Sequence, residues 1–151
     1  MVERVVALDV GMKYVGVAVT DPTWNFPVIF GTLMRRDSIT DDLFRLREML
    51  DFEVAAITLG YPLRADGSEG SFTPVVRGFE RRLKELYPDV PFFRTDEFQS
   101  SNEAIEIKKA RGRGYEKIKK SGAIDSASAA VILERFMATK EFINLKKERN
   151  L

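Results

Sequence analysis

Val5-Val6-Ala7-Leu8-Asp9-Val10-Gly11-Met12-Lys13-Tyr14-Val15-Gly16-Val17-Ala18-Val19 decides the fold. Val5 to Leu8 is a continuous apolar run and Val15 to Val19 is another. The glycine-containing Gly11-Met12-Lys13 between them is short enough to be a tight turn, so the stretch reads as two antiparallel strands. A third strand, Val28 to Leu33, follows the turn region from Asp21-Pro22 to Pro27 and extends the meander.

Beyond it the apolar period lengthens. Ile39, Leu43, Leu46, Met49 and Leu50 recur at helical spacing behind Ser38, with Asp41 three residues on, which predicts a capped amphipathic helix over 39–50. Val54 to Leu59 is a buried strand ending in Gly60. Thr73-Pro74 predicts an N-cap followed by proline at the first helical position, and Val76, Phe79, Leu83, Leu86 and Tyr87 give that helix one apolar face. Pro91 to Thr95 is a fifth strand. Ser100 with Glu103 opens a helix running towards Arg111, and Ile124 to Met137 is a last helix, apolar on most sides and therefore buried. Strands that alternate with helices require parallel crossovers, so the class is α/β: a five-stranded mixed sheet, its first three strands antiparallel, with helices on both faces. The loops Tyr61 to Ser71 and Gly112 to Gly122 are polar and glycine-containing, suited to serving a site.

The chain has 151 residues, the size of a single domain over 1–151, and contains neither Cys nor His. Thiolate and imidazole chemistry are thereby excluded, including disulfides, Ser-His-Asp triads and the usual zinc sites. Acid/base or metal chemistry must rest on carboxylates, Lys, Tyr, hydroxyls or water, and a metal would be hard and oxygen-ligated, Mg²⁺ or Mn²⁺. No apolar run reaches the length of a membrane span. Met1-Val2-Glu3-Arg4 lacks the features of a signal peptide, so a cytoplasmic location is expected. Net charge is only +1, but Lys108, Lys109, Arg111, Arg113, Lys117, Lys119 and Lys120 face Glu116 alone. That strip reads as a phosphate-binding surface or as a solvated charged stretch.

Three acidic positions invite a functional reading. Asp9 interrupts the most apolar strand, where an ionised carboxylate costs several kcal/mol unless compensated. It is either a site residue beside Gly11 and Lys13 or an Asx residue starting the hairpin turn. Asp96 and Glu97 stand at the carboxyl end of the fifth strand, where α/β sheets place ligands, or are surface acids in a loop. Asp125 opens the last helix ahead of the small residues Ser126-Ala127-Ser128-Ala129-Ala130. It is a ligand kept ionised by the helix dipole, or a cap or first-turn acid. Together the three can supply oxygen ligands for one or two divalent ions able to support phosphodiester hydrolysis.

With these residues in view, the chain resembles the YqgF/RuvX family, whose members carry the names pre-16S ribosomal RNA nuclease and RuvC-like Holliday junction resolvase-like protein, in the RNase H-like superfamily. The resemblance covers almost the whole chain. It rests on Leu8-Asp9-Val10-Gly11 with Val15 to Pro22, Leu59-Gly60-Tyr61-Pro62-Leu63 with Asp66 to Gly70, Thr95-Asp96-Glu97, and Ile124-Asp125-Ser126-Ala127 with Ala129-Ala130.

The resemblance implies an RNase H-like fold and an acidic triad of Asp9, Glu97 and Asp125, catalytic and metal-holding, with the Gly60 to Gly70 loop bordering the site. Where the family usually continues Asp-Glu with Arg and Leu, this chain has Phe98 and Gln99, while Ser100 and Ser101 keep the hydroxyls. The implied activity is a Mg²⁺- or Mn²⁺-dependent endonuclease of structured nucleic acid acting in 5′-end maturation of pre-16S rRNA. Lys13 would steady a phosphate oxygen, and the strip Lys108, Lys109, Arg111, Arg113, Lys119 and Lys120 would track the backbone. Two alternatives are a Holliday junction resolvase on four-way DNA, working as a homodimer, and a non-catalytic RNA-binding ribosome-assembly factor. A kinase- or actin-like phosphate loop at Asp9-Val10-Gly11 would need a second domain that the chain cannot hold.

Overall fold

The computed structural model describes residues 2–64, 66–96 and 123–151. Five strands form one mixed sheet in the order β3-β2-β1-β4-β5. β1 (Glu3–Val10), β2 (Tyr14–Thr20) and β3 (Pro27–Met34) are the antiparallel meander read from the sequence. β4 (Glu53–Tyr61) runs parallel to β1, and β5 (Phe92–Asp96) parallel to β4. The crossovers between these strands contain α1 (Ile39–Met49) and α2 (Thr73–Leu86); α3 (Ala123–Met137) and α4 (Lys140–Glu148) follow later in the chain.

Strand alternation sorts the side chains into two cores. Val6, Leu8, Val17, Val19, Ile57 and Leu59 face α1 and α2, whose Leu43, Leu46, Val76, Phe79 and Leu83 cover them. On the opposite face the sheet is built of smaller residues, Val5, Ala7, Ala18 and Ala56, under Ile132, Leu133 and Phe136 of α3 and Phe142 of α4. Small side chains on the sheet let α3 approach closely. The expectation of a buried helix over 124–137 is met: Ala127, Ala129, Ile132, Leu133 and Phe136 are all buried.

Several boundaries differ from the sequence reading. β4 does not end at Gly60 but runs on to Tyr61, because Gly60 and Tyr61 pair with Thr95 and Asp96 of β5. Thr73 is not the cap of α2. The cap is Phe72, and the Thr73 hydroxyl donates to the Pro62 carbonyl at 3.0 Å and accepts from the Gly70 amide at 3.1 Å, tying down both ends of the loop between them. Within that loop Leu63 bridges Glu69, and Gly67 sits at φ +85, a conformation open to glycine. The Ser38 cap of α1 is present, accepting from the Asp41 amide at 3.2 Å.

The chain also does not end its helical structure at Met137. α4 starts at a Thr139 cap that accepts from the Phe142 amide at 3.3 Å. It is held by Phe142, whose ring lies 5.8 Å from those of both Trp24 and Phe136. The predicted helix from Ser100 towards Arg111 and the loop Gly112 to Gly122 lie outside the described residues. Among the described residues no helix is long and apolar enough to cross a membrane.

Candidate carboxylate site

Asp9 is the next-to-last residue of β1, and it stands opposite Gly16 in the β1–β2 ladder. The turn proper begins beyond it, closed by the Gly11 amide donating to the Tyr14 carbonyl at 2.8 Å, so Asp9 belongs to the strand rather than initiating the hairpin. Alternation puts it with Val5 and Ala7 on the face covered by α3, where it is 7% exposed.

Asp125 reaches the same place from the other end of the chain. It is the third residue of α3, a first-turn acid rather than the cap. The contact is close because β2 offers no side chain there: a Cβ on Gly16 would lie 1.9 Å from the Asp125 carbonyl oxygen and 2.7 Å from the Ser126 nitrogen. A Cβ on Gly11 would lie 3.7 Å from Asp125 Oδ1. The carboxyl group of Asp125 is therefore set over the β1–β2 turn. Burial, with the negative charge of Asp9 added, pushes it up to about 6. This donor set is oxygen-only, like-charged and desolvated, which is what a hard divalent cation neutralises. With neither Cys nor His in the chain, thiolate and imidazole ligands are absent from the whole sequence.

The remaining expected site residues are distributed unequally. Lys13 is exposed on the turn after β1, its ammonium 5.7 Å from the centroid of the Tyr14 ring. Asp96 ends β5 in alternation with Arg94, and Arg94 pairs with Glu80 of α2, so the Asp96 position falls on the face opposite Asp9. Its backbone carbonyl accepts from Arg135 of α3 at 3.1 Å. Glu97, Phe98, Gln99, Ser100 and Ser101, and the whole basic strip with Lys108, Lys109, Arg111, Arg113, Lys119 and Lys120, lie outside the described residues.

The Gly60 to Gly70 loop leaves the sheet at the same end as Asp9, because parallel β1 and β4 pair Leu8 with Leu59. Its root is braced by Tyr61. The Tyr61 hydroxyl donates to Glu80 at 3.1 Å, and the Arg94 guanidinium lies 4.4 Å from the centroid of the Tyr61 ring while donating to both Glu80 oxygens. Burial and the neighbouring Glu80 charge push the Tyr61 hydroxyl up to about 12. Burial favours a protonated Glu80, but the Arg94 and Tyr61 hydrogen bonds outweigh it and hold the Glu80 carboxyl below its ordinary value.

A second group beside the turn escaped the sequence reading. Arg35, just past β3, donates to the Gly11 carbonyl at 3.1 Å and pairs with the fully buried Asp42 of α1 at 3.5 Å. A signal existed: Asp42 falls in helical phase with Ile39, Leu46 and Met49, so the apolar face of α1 carries an acid that requires a partner.

Comparison with known proteins identifies the family. A family model described as RuvX, Holliday junction resolvase, matches residues 3–139. A protein of Chlorobium phaeobacteroides (strain BS1) named "Putative pre-16S rRNA nuclease" is 33% identical over 136 residues, covering 90% of this chain and 92% of its own. A protein of the same name from Prosthecochloris aestuarii is 36% identical over 134 residues, covering 87% of this chain and 91% of its own. Another from Salinibacter ruber is 36% identical over 134 residues, covering 89% and 92%. The family match spans β1 through Thr139 and includes both carboxylates, and on that extent the chain belongs to the RuvX family.

Proposed function

We propose that the chain is a divalent-metal-dependent endonuclease of structured nucleic acid, acting in 5′-end maturation of pre-16S rRNA as a single RNase H-like domain in the cytoplasm. The observation that carries the reading is the meeting of Asp9 and Asp125 on one face of the sheet, buried enough that Asp125 is pushed up to about 6. A structural acid in the first turn of a helix gains from the dipole without facing a second buried carboxylate, so the arrangement costs stability and serves a ligand.

Asp9 and Asp125, with Glu97 of the Thr95-Asp96-Glu97 motif, would hold Mg²⁺ or Mn²⁺. The ion would supply Lewis acidity towards a phosphodiester and its attacking water. β1 and α3 are both anchored in the core, so the two carboxylates are presented without reorganisation. Burial of Asp9 keeps bulk water from its carboxylate and strengthens its field. Lys13, exposed on the adjoining turn, would meet a phosphate oxygen, and the basic strip from Lys108 to Lys120 would follow the nucleic-acid backbone. Binding should then weaken steeply between low and moderate salt.

The test is cleavage of end-labelled precursor 16S RNA and of a four-way DNA junction, with Mn²⁺, Mg²⁺ or EDTA, by wild type, Asp9→Asn and Asp125→Asn. Metal-dependent cutting lost in both variants supports the carboxylate nuclease. The description of the family as a Holliday junction resolvase favours one rival, and preference for the junction by a homodimer would select it. Binding of RNA by equally inert wild type and variants would select an assembly factor instead.

A further inference from the structure

The turn after Asp9 is held by a side chain that the proposed chemistry does not use. Arg35 is largely buried, its side chain 16% exposed. Its backbone amide donates to the Lys13 carbonyl at 2.8 Å, its Nη1 donates to the Gly11 carbonyl at 3.1 Å, and its Nε faces Asp42 Oδ2 at 3.5 Å. The guanidinium also lies 5.5 Å from the centroid of Phe79, which limits its freedom to swing away. Both ends of the Gly11–Lys13 turn are thus fastened through one residue to α1.

Neutralising Asp42 does not require this arrangement. Asp42 Oδ1 already accepts from the Arg36 amide at 2.8 Å and from the Arg45 guanidinium. What Arg35 adds is the link to the Gly11 carbonyl, two residues from Asp9 on a glycine that adjoins Asp125 Oδ1. A planar fork can serve two acceptors at fixed angles, whereas an ammonium is a single point charge on a flexible stem.

We propose that Arg35 is a positioning residue: by bridging the Gly11 carbonyl to Asp42 it fixes the turn that lies beneath the Asp125 carboxyl and adjoins Asp9. The assignment rests on the carboxylate site proposed above.

The experiment compares wild type, Arg35→Lys, Arg35→Gln, Asp9→Asn and the exposed-surface control Arg47→Met. It uses Mn²⁺-dependent cleavage of precursor 16S RNA, Mn²⁺ affinity by calorimetry, amide exchange at Gly11 and thermal unfolding. Arg35→Lys keeps a cation beside Asp42 and loses the fork. It should unfold near the wild-type temperature, exchange the Gly11 amide faster and bind Mn²⁺ more weakly. Because displacement of about 1 Å costs about 100-fold, its kcat should fall about 10- to 100-fold with KM within about twofold. Arg47→Met should match wild type.

A folded Arg35→Lys or Arg35→Gln with wild-type kcat and Gly11 exchange overturns the proposal, as does loss of activity that merely follows loss of folded protein in both variants. Asp9→Asn separates the two levels of inference. If it abolishes Mn²⁺ binding while the folded Arg35 variants behave as wild type, only the positioning role fails. If wild type neither binds Mn²⁺ nor cleaves, or Asp9→Asn changes nothing, the carboxylate reading fails and the positioning role falls with it.

Discussion

Replacing Gly16 with alanine should separate α3 from β2 and disable the carboxylate pair in one step. The new Cβ would lie 1.9 Å from the Asp125 carbonyl oxygen, 2.2 Å from its carbon and 2.7 Å from the Ser126 nitrogen. These are backbone atoms, so no side chain can rotate out of the way. Restoring ordinary contact requires a retreat of about 1.5 Å by the first turn of α3, and such overpacking costs about 1–3 kcal/mol. At about 2–4 °C per kcal/mol for a chain of this size, the melting temperature should fall by several degrees. The same displacement moves Asp125 relative to Asp9 and should lower metal-dependent cleavage about 100-fold. Gly78→Ala on α2 is the matched control, since a Cβ there meets nothing within 4 Å. Removing a helical glycine should stabilise by up to ~1 kcal/mol. Urea unfolding with calorimetric Mn²⁺ titration reads both effects. A Gly16→Ala protein with wild-type stability and metal affinity would refute the close seating of α3 on β2.

Asp125 retains its proton to about 6 in the folded chain against 3.8 ordinarily, so between those values the native state binds more protons than the unfolded one and stability falls as pH rises. Because Asp125 is only half-buried and solvent screens it, the loss amounts to about 1–2 kcal/mol. Asp125→Asn should flatten this slope in EDTA and be more stable than wild type at neutral pH while failing to cleave; parallel urea profiles from pH 4 to 7 would contradict it. Thr73→Val removes the hydroxyl that joins Pro62 to Gly70 and should cost about 1–3 kcal/mol in urea melts, with faster exchange of the Gly70 amide. Ser128 is fully buried on α3 and its hydroxyl has no hydrogen-bond partner among the described residues, so Ser128→Ala should raise stability by about 1 kcal/mol, read as a higher urea midpoint.

Much of this architecture is legible from one dimension because the decisive contacts are periodic. The apolar runs around Gly11 and the spacing of Leu43, Leu46, Val76, Phe79 and Leu83 state which faces are buried without reference to what buries them. Errors fell where a tertiary partner outcompeted a local one. Thr73 before Pro74 carries the pattern of a cap, yet its hydroxyl is engaged by Pro62 and Gly70, and Phe72 takes the capping position. α4 was missed because its buried face is only Phe142 and Leu145, too short a period to stand out; Trp24, more than a hundred residues away, supplies the surface it packs on.

The candidate site divides along the same line. Asp9 is conspicuous because a carboxylate in an apolar strand is costly wherever the strand lies. Asp125 is not, since an acid near the start of a helix has an ordinary explanation in the dipole. What distinguishes it is a match between two separate sets of small residues: Gly16, Ala7 and Ala18 on the sheet, and Ser126 with Ala127 to Ala129 on the helix. Each set alone says only that something approaches. Together they bring a helix terminus onto bare strand backbone, so that its first acid must sit beside Asp9 of β1. Burial first, and the Asp9 charge second, raise the Asp125 carboxyl, so seating the helix here weakens the fold. A cation that binds both would reverse the sign of that contribution, making the site a source of stability only when it is loaded.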